Sequence, residues 1–371
     1  MNFRAGWVDD VKLVLLLATT RIVMGILLYY SVGIGDLHRA EFIDASVKLP
    51  YRWLYLVTSW DSVYYISIAK NWYPATLAPV WAFFPLYPAT IRVIDWMGID
   101  PSIAAFTISI VAGFLSVPLF ARIAGRYLSQ DKATTATLLY FLLPPVFLFS
   151  GVSYSESLFL LLSLLTWEYH QKGNDARAAL VSALVTLTRI YGVLIAVPLA
   201  YSYYRNRQFR KFAYSAISPL TLLGWVVYGY WISGVWFPML GAQSYFNPTD
   251  PTIEKDVIQL ASGSLAALKP LLRFWPVVAV SSTFVVFIVI LCYRTWITDR
   301  ALGLYVALSV VIISVFGIFP AVRSFPRYFS FLFPIGLGLY AKMRLVRVTA
   351  ILLLLVLDFL LWWGLMAGIV T

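Results

Sequence analysis

Trp81–Ile99 reads WAFFPLYPATIRVIDWMGI, and the topology of the chain turns on whether this stretch crosses a bilayer or lies along its surface. A spanning helix needs about 20 predominantly apolar residues, so length alone leaves both readings open. The surrounding composition shows that the question matters. The chain has 371 residues, 61% of them hydrophobic and only 12% charged, with mean hydropathy +0.81. Soluble domains are nearer half apolar and a quarter charged. Apolar runs near 11–31, 102–121, 133–150, 154–170, 176–190, 190–204, 212–233, 273–293, 301–320, 327–341 and 346–368 predict an all-α polytopic membrane protein in a single domain, 1–371.

The basic residues decide how those runs are threaded. With a cytoplasmic N-terminus and no crossing by 79–99, the cytoplasmic turns collect Arg122, Arg126 and Lys132; Lys172 and Arg177; Arg205, Arg207, Arg210 and Lys211; Arg294 and Arg300; Lys342, Arg344 and Arg347. Together with Arg4 and Lys12 these are 16 of the 28 lysines and arginines, as the positive-inside rule requires. A crossing by 79–99 would flip every one of these turns outside and leave only Arg4 and Lys12 in the cytoplasm. The expectation is therefore about eleven transmembrane helices, with the C-terminus outside. Residues 32–100 form a first exterior loop with interfacial helices, and 234–270 a second large exterior loop. The run Val11–Val32 carries Arg21 and lacks a small-residue cleavage site, which reads as a retained signal anchor. Mid-span, Arg21 has Asp358 as its partner by depth, a structural pair or else part of a lipid-chain or proton path.

Three arginines break the charge rule. Arg189 in LTRIYG and Arg323 and Arg327 in AVRSFPRYF fall in short exterior turns among apolar neighbours. A cation kept near the hydrocarbon edge against the topological bias is a candidate anion ligand, although snorkelling or an internal ion pair explains any one of them. The same exterior face receives Asp61 and Glu156, the latter in GVSYSES (Gly151–Ser157). Both carboxylates also suit the first turn of a helix for structural reasons, Asp61 beside Ser59 as a candidate N-cap. In Ser59–Tyr73, SWDSVYYISIAKNWY, Trp60, Tyr64, Ile68 and Trp72 fall four apart, the pattern of a helix lying in the membrane interface. Trp60, Trp72 and Trp81 read as interface anchors.

Other chemistries lack support. The lone Cys292 permits no internal disulfide, His38 and His170 show no ligand spacing, and D-x-D, G-x-G-x-x-G and Walker-type loops are missing. No metal or cofactor is expected. The net charge of +11 belongs to the membrane-facing turns and not to a nucleic-acid site. A lipid or sugar transporter, or flippase, is the alternative class, but no internal repeat is visible. A non-catalytic partner of another membrane enzyme is a third reading, in which loss of Asp61 would be tolerated.

WDSVYYISIAKNWY followed by AFFPLYP resembles the signature of the PIG-V-type mannosyltransferases, polytopic GT-C glycosyltransferases that take a sugar from a polyprenyl phosphate. Trp60, Asp61, Tyr64, Tyr65, Ile68, Ala69 and Tyr73 match the pattern, as do Ala82–Pro85 and Pro88. The SES at Ser155–Ser157, the TR.YG at Thr188–Gly192 and, more loosely, Arg327–Pro334 also resemble it. Many relatives carry His where this chain has Tyr64, so either the Tyr64 hydroxyl replaces that imidazole or its role is absent here. The compact chain looks prokaryotic or archaeal.

The resemblance implies a GT-C-like fold and inverting transfer of mannose from dolichyl (polyprenyl) phosphate mannose to a hydroxyl of a lipid-linked glycan or glycolipid. The site would lie on the exterior face of the cell membrane, or of the ER membrane facing the lumen. It places Asp61 as catalytic base, and the charge that would develop on the donor phosphate calls for cations, for which the exceptional arginines Arg327, Arg189 and Arg323 are the candidates. Glu156, Trp60, Tyr64, Tyr65, Tyr191 and Tyr328 would contact substrate, without a required metal.

Overall fold

The computed structural model of the protein describes residues 3–31, 53–58, 60–245, 286–317, 325–340 and 344–366. Among the described residues every regular element is helical. The first half runs α1 (Phe3–Ser31), α2 (Leu54–Val57), α3 (Asp61–Asn71), α4 (Leu86–Asp95), α5 (Pro101–Tyr127), α6 (Gln130–Phe141), α7 (Pro144–Phe149), α8 (Glu156–Gln171) and α9 (Asp175–Thr188). The second half runs α10 (Ala196–Arg205), α11 (Phe212–Ser215), α12 (Ile217–Ser233), α13 (Pro238–Gly241), α14 (Val286–Thr298), α15 (Arg300–Gly317), α16 (Phe325–Ser330) and α17 (Arg344–Met366).

The decisive stretch forms no helix of spanning length. Pro79–Ala82 forms a 3-10 turn, and α4 has ten residues. That is about 15 Å of helix against a hydrocarbon core of about 30 Å. By contrast α5 has 27 residues, opened by Pro101 at its first position and by Asp100, whose side chain accepts from the Ser102 N–H at 2.8 Å.

Eleven crossings are more than the helices establish. Among the residues whose side chains are described, α5 and the Phe209–Ser233 segment are long and apolar enough to span. The expected run 133–150 is broken at Leu142–Leu143, where Pro144 and Pro145 cannot continue a helix. The run 327–341 is a six-residue helix followed by a 3-10 turn, Phe333–Gly338, whose residues are all buried. Apolar outward faces are nonetheless plain: Leu15, Ile22 and Ile26 on α1, Leu220, Leu223 and Trp231 on α12, and Leu352, Val356 and Leu360 on α17 are exposed. Contiguous apolar surface of this kind is what a chain surrounded by lipid presents.

Two cores organise the bundle. The larger joins α5, α6, α7 and α8 to α10, α15 and the Phe329–Leu339 region. The smaller is aromatic and holds α3 and the FFPLYP segment against α12, with Trp81 fully buried beside Tyr73 and Trp225. This corrects two expectations. Trp81 is a core residue and not an interface anchor. The buried face of α3 is Ser62, Tyr65, Ile66, Ile68 and Ala69, offset from the predicted stripe, because α3 packs on protein. The start of the 234–270 loop folds back on this core, with Tyr245 donating to the Leu77 carbonyl at 3.4 Å; residues 246–270 lie outside the described residues.

The charges on α1 and α17 do not meet in a hydrogen bond: Asp358 is 3% exposed and neither of its oxygens has a hydrogen-bond partner among the described residues. Arg21 itself donates to the Ser150 carbonyl at 2.9 Å and to the Ser150 hydroxyl, under the rings of Phe114 and Phe147. After α9 the chain folds back on itself, and Gly192 makes the close approach. A Cβ there would sit 2.2 Å from the Val185 carbonyl oxygen and 2.8 Å from the Thr186 Cα. Those are backbone atoms and cannot step aside. Gly192→Ala is therefore expected to lower stability by about 1–3 kcal/mol. Gly125→Ala, where nothing lies within 4 Å, should leave the detergent melting temperature unchanged or slightly raised.

Candidate active site

Four charged residues from four parts of the chain meet at one point. Arg327 Nη1 lies 2.7 Å from Asp61 Oδ2, and its Nε donates to Glu156 Oε1. Arg189 Nη1 lies 2.6 Å from the same Glu156 oxygen. Glu156 is 1% exposed, Arg327 and Arg189 10% and 14%, and Asp61 27%. The quartet balances two guanidinium groups against two carboxylates. Only Asp61 has substantial access to the outside.

The local fold explains each placement. Asp61 is the first residue of α3 and Glu156 the first of α8, where the helix dipole favours an anion by about 0.3–1 kcal/mol. Neither helix has a side-chain cap. The cap reading of Asp61 thus gives way to an ion pair, and Ser59 lies outside the described residues. Arg189 occupies the C-cap of α9, the end where a cation is favoured, and Arg327 the middle of the six-residue α16.

Ahead of Asp61 the backbone is strained. Trp60 has φ 53° and ψ −120°, a region that a bulky side chain rarely enters. Three bonds hold it. The Asp61 N–H donates to the Tyr154 hydroxyl at 3.1 Å, the Val63 N–H to the Trp60 carbonyl at 3.2 Å, and the Ser153 N–H to the Val57 carbonyl at 2.8 Å. Tyr154 is itself anchored through its carbonyl, which accepts from Ser109 Oγ at 2.7 Å. Ser109 in turn bonds the Tyr87 hydroxyl at 2.7 Å.

Aromatic rings wall the arginines. The Arg327 guanidinium carbon lies 4.5 Å from the Tyr154 ring centroid and 4.8 Å from that of Phe149, and Arg189 lies 5.4 Å from the Tyr328 ring. Such contacts strengthen as water is excluded. Tyr191 packs on Tyr328 with centroids 5.4 Å apart. The Tyr65 hydroxyl bonds Ser155 Oγ at 2.8 Å. Tyr64 stacks on Phe83, and burial first and the Asp61 carboxylate second push its phenol above the usual range. The Tyr64 phenol thus stays protonated well beyond neutral pH.

The structure thus assembles Asp61, Glu156, Arg189 and Arg327, with Tyr65, Tyr191 and Tyr328 at their edges, Tyr64 beside Asp61, and Trp60 contributing its strained backbone. Arg323 lies outside the described residues. Sequence reasoning missed Tyr154 and Phe149 as parts of the site; the signal for Tyr154 was its place two residues before Glu156 in GVSYSES. Among the described residues no group of three His, Cys, Asp or Glu side chains converges as a metal site.

Removing one partner from a buried ion network strands the others. Arg189→Ala is expected to destabilise by up to about 3 kcal/mol, and Arg189→Ala with Glu156→Gln by clearly less. A double-mutant cycle on detergent melting checks this, and simple additivity would contradict it.

The sequence model of the family described as Mannosyltransferase (PIG-V) matches residues 37–223, half of the chain and the whole stretch from Asp61 to Arg189. GPI mannosyltransferase 2 of Schizosaccharomyces pombe is 30% identical over 142 residues, 36% of this chain and 29% of that protein. GPI mannosyltransferase 2 of Yarrowia lipolytica is 26% identical over 165 residues, 43% of this chain and 45% of that protein. The chain therefore matches less than half the length of these curated relatives. Among solved structures, the crystal structure of the Archaeoglobus fulgidus oligosaccharyltransferase in complex with zinc and sulfate aligns with TM-score 0.46 at 15% identity, over 96% of this chain and 52% of that one. With half of its length matched by the family's sequence model, and with Asp61, Glu156 and Arg189 of that matched half meeting in space, this chain belongs to the PIG-V mannosyltransferase family.

Proposed function

We propose that the protein is an inverting mannosyltransferase that moves mannose from dolichyl (polyprenyl) phosphate mannose to a hydroxyl of a glycolipid or lipid-linked glycan, on the exterior face of the membrane. One observation carries the reading: Asp61, in the family-matched segment, is the accessible member of a buried charge quartet and is held by Arg327 at 2.7 Å.

In this mechanism Asp61 accepts the proton of the acceptor hydroxyl through Oδ1, the oxygen that Arg327 leaves free. The acceptor oxygen bonds to the anomeric carbon as the bond from that carbon to the lipid phosphate breaks, and the phosphate leaves with the electron pair. Arg327 meets the charge that develops on the phosphate, because a guanidinium offers paired donors. Arg189 is held behind Glu156, and the two keep Arg327 in place. Arg323 is proposed as a further phosphate ligand, and Tyr191 and Tyr328 as walls of the sugar subsite.

The quartet carries no net charge, so an incoming phosphate competes with Asp61 for Arg327. Donor binding would then loosen the hold on Asp61 as the base is needed. The names of the curated relatives support a mannose donor and a glycosylphosphatidylinositol-like acceptor.

The test is transfer of labelled mannose from dolichyl phosphate mannose by the purified full chain. Asp61→Asn is expected to abolish transfer with the melting temperature within a few degrees of wild type, and Arg327→Ala to weaken donor binding. Transfer by Asp61→Asn at the wild-type rate would sink the mechanism. Tyr154→Phe keeps the ring against Arg327 but removes the acceptor for the Asp61 N–H, so the rate should fall by about tenfold with little change in donor KM.

A further inference from the structure

At the other end of α8, about 24 Å from Glu156 along the helix axis, lies a second charged assembly that this reaction does not use. A cleft of about 600 Å³ opens there, lined by Arg126, Tyr127, Trp167, His170, Arg205 and Lys211 among others. The volume is within the range of small-molecule sites.

The charges are built in and unbalanced. Glu168, 3% exposed, takes Arg126 at 2.7 Å, Lys172 at 2.8 Å and Arg122 at 3.9 Å. Three cations thus share one carboxylate. Beside it Lys211 lies 2.7 Å from Asp175, which also accepts from the Tyr203 hydroxyl at 2.8 Å and faces His170 Nδ1 at 3.4 Å. His170 is held from the other side by Ser202 Oγ at 2.8 Å from Nε2. Asp299, the third carboxylate, accepts from the Leu302 N–H at 3.0 Å and from the Tyr127 hydroxyl. Arg205 is exposed and has no ion pair among the described residues. The lining of the cleft therefore carries three cations, Arg126, Arg205 and Lys211, against two carboxylates, Asp175 and Asp299, each already committed, while Arg126 also shares Glu168 with Arg122 and Lys172 outside the lining. Positive charge in excess of local needs, fixed around a cleft, attracts an anion.

We propose that this cleft binds the phosphate group of an anionic phospholipid. The lipid source follows from its rim, where Tyr204, Phe209 and Phe212 are exposed beside Arg205. Aromatics next to cations at the end of apolar helices fit the headgroup layer, and basic pockets between such helices take phosphorylated headgroups. The inference is independent of the reaction proposed at Asp61.

The full chain in detergent is titrated with phosphatidylglycerol, phosphatidylcholine and inorganic phosphate, with binding followed by isothermal titration calorimetry. Phosphatidylglycerol should bind more tightly than phosphatidylcholine. Arg205→Ala should weaken it by about fivefold and Arg205→Glu by more, with Asp61→Asn behaving as wild type. Arg177→Ala, an exposed arginine at the same end outside the cleft lining, should have no effect. Binding unchanged by both Arg205 substitutions overturns the site, and so does equal loss in Arg177→Ala, which would mean diffuse surface charge. Inorganic phosphate binding with the same Arg205 dependence, and displacing the lipid, overturns the lipid source in favour of a soluble phosphate ligand.

Discussion

Arg327 is the joint of the site. One guanidinium reaches a carboxylate 171 residues earlier in the chain, Glu156, and a second still further back, Asp61. Two unit charges about 4 Å apart attract by about 1 kcal/mol in water and by about 4 kcal/mol at the effective dielectric of a protein site. Burial therefore turns a weak surface contact into an organising one, but it also removes hydration from every member. A site of this kind is stable only as a set, so α3, α8, α9 and α16 must arrive together.

Helix ends make that arrangement affordable. Both carboxylates sit at the first residue of a helix and Arg189 at the C-cap of one, so these three charges lie where the backbone dipole already favours them. The structural and functional readings of Asp61 and Glu156 were rivals in the sequence. In the fold they coincide, because the same position offers dipole stabilisation and points the side chain away from the helix into the cleft between elements.

What could be read ahead of the structure was what local rules control. That 79–99 would form no spanning helix was expected from counting loop charges, and the exceptional arginines Arg189 and Arg327 stood out because they broke that count. Pairing was harder. Nothing local says that Arg189 turns to Glu156 and not to Asp61, or that Tyr154 supports the Asp61 backbone. Trp81 and the α3 stripe were misplaced for a related reason: an amphipathic pattern reports an apolar face, but lipid and an aromatic protein core satisfy it equally well. The described helices do not establish the eleven crossings, because paired prolines and 3-10 turns interrupt apolar runs that composition alone treats as continuous.

The ends of α3 show how much packing is spent on placing Asp61. Trp60 and Trp72 both adopt positive φ, 53° and 61°, at a cost of about 1–3 kcal/mol each for such conformations. Trp72 is held by its indole N–H, which donates to the Tyr228 hydroxyl at 2.8 Å, and Trp60 by the bonds that follow it at Asp61 and Val63. A helix free to relax would shed both distortions by sliding or fraying. This one cannot, because Ser62, Tyr65 and Ala69 are packed into the aromatic core. The core thus supplies the free energy that keeps the strained ends in place, and the strain at Trp60 sets the direction in which Asp61 leaves the backbone toward Arg327. Positional accuracy at the one accessible carboxylate is bought from apolar burial several residues away.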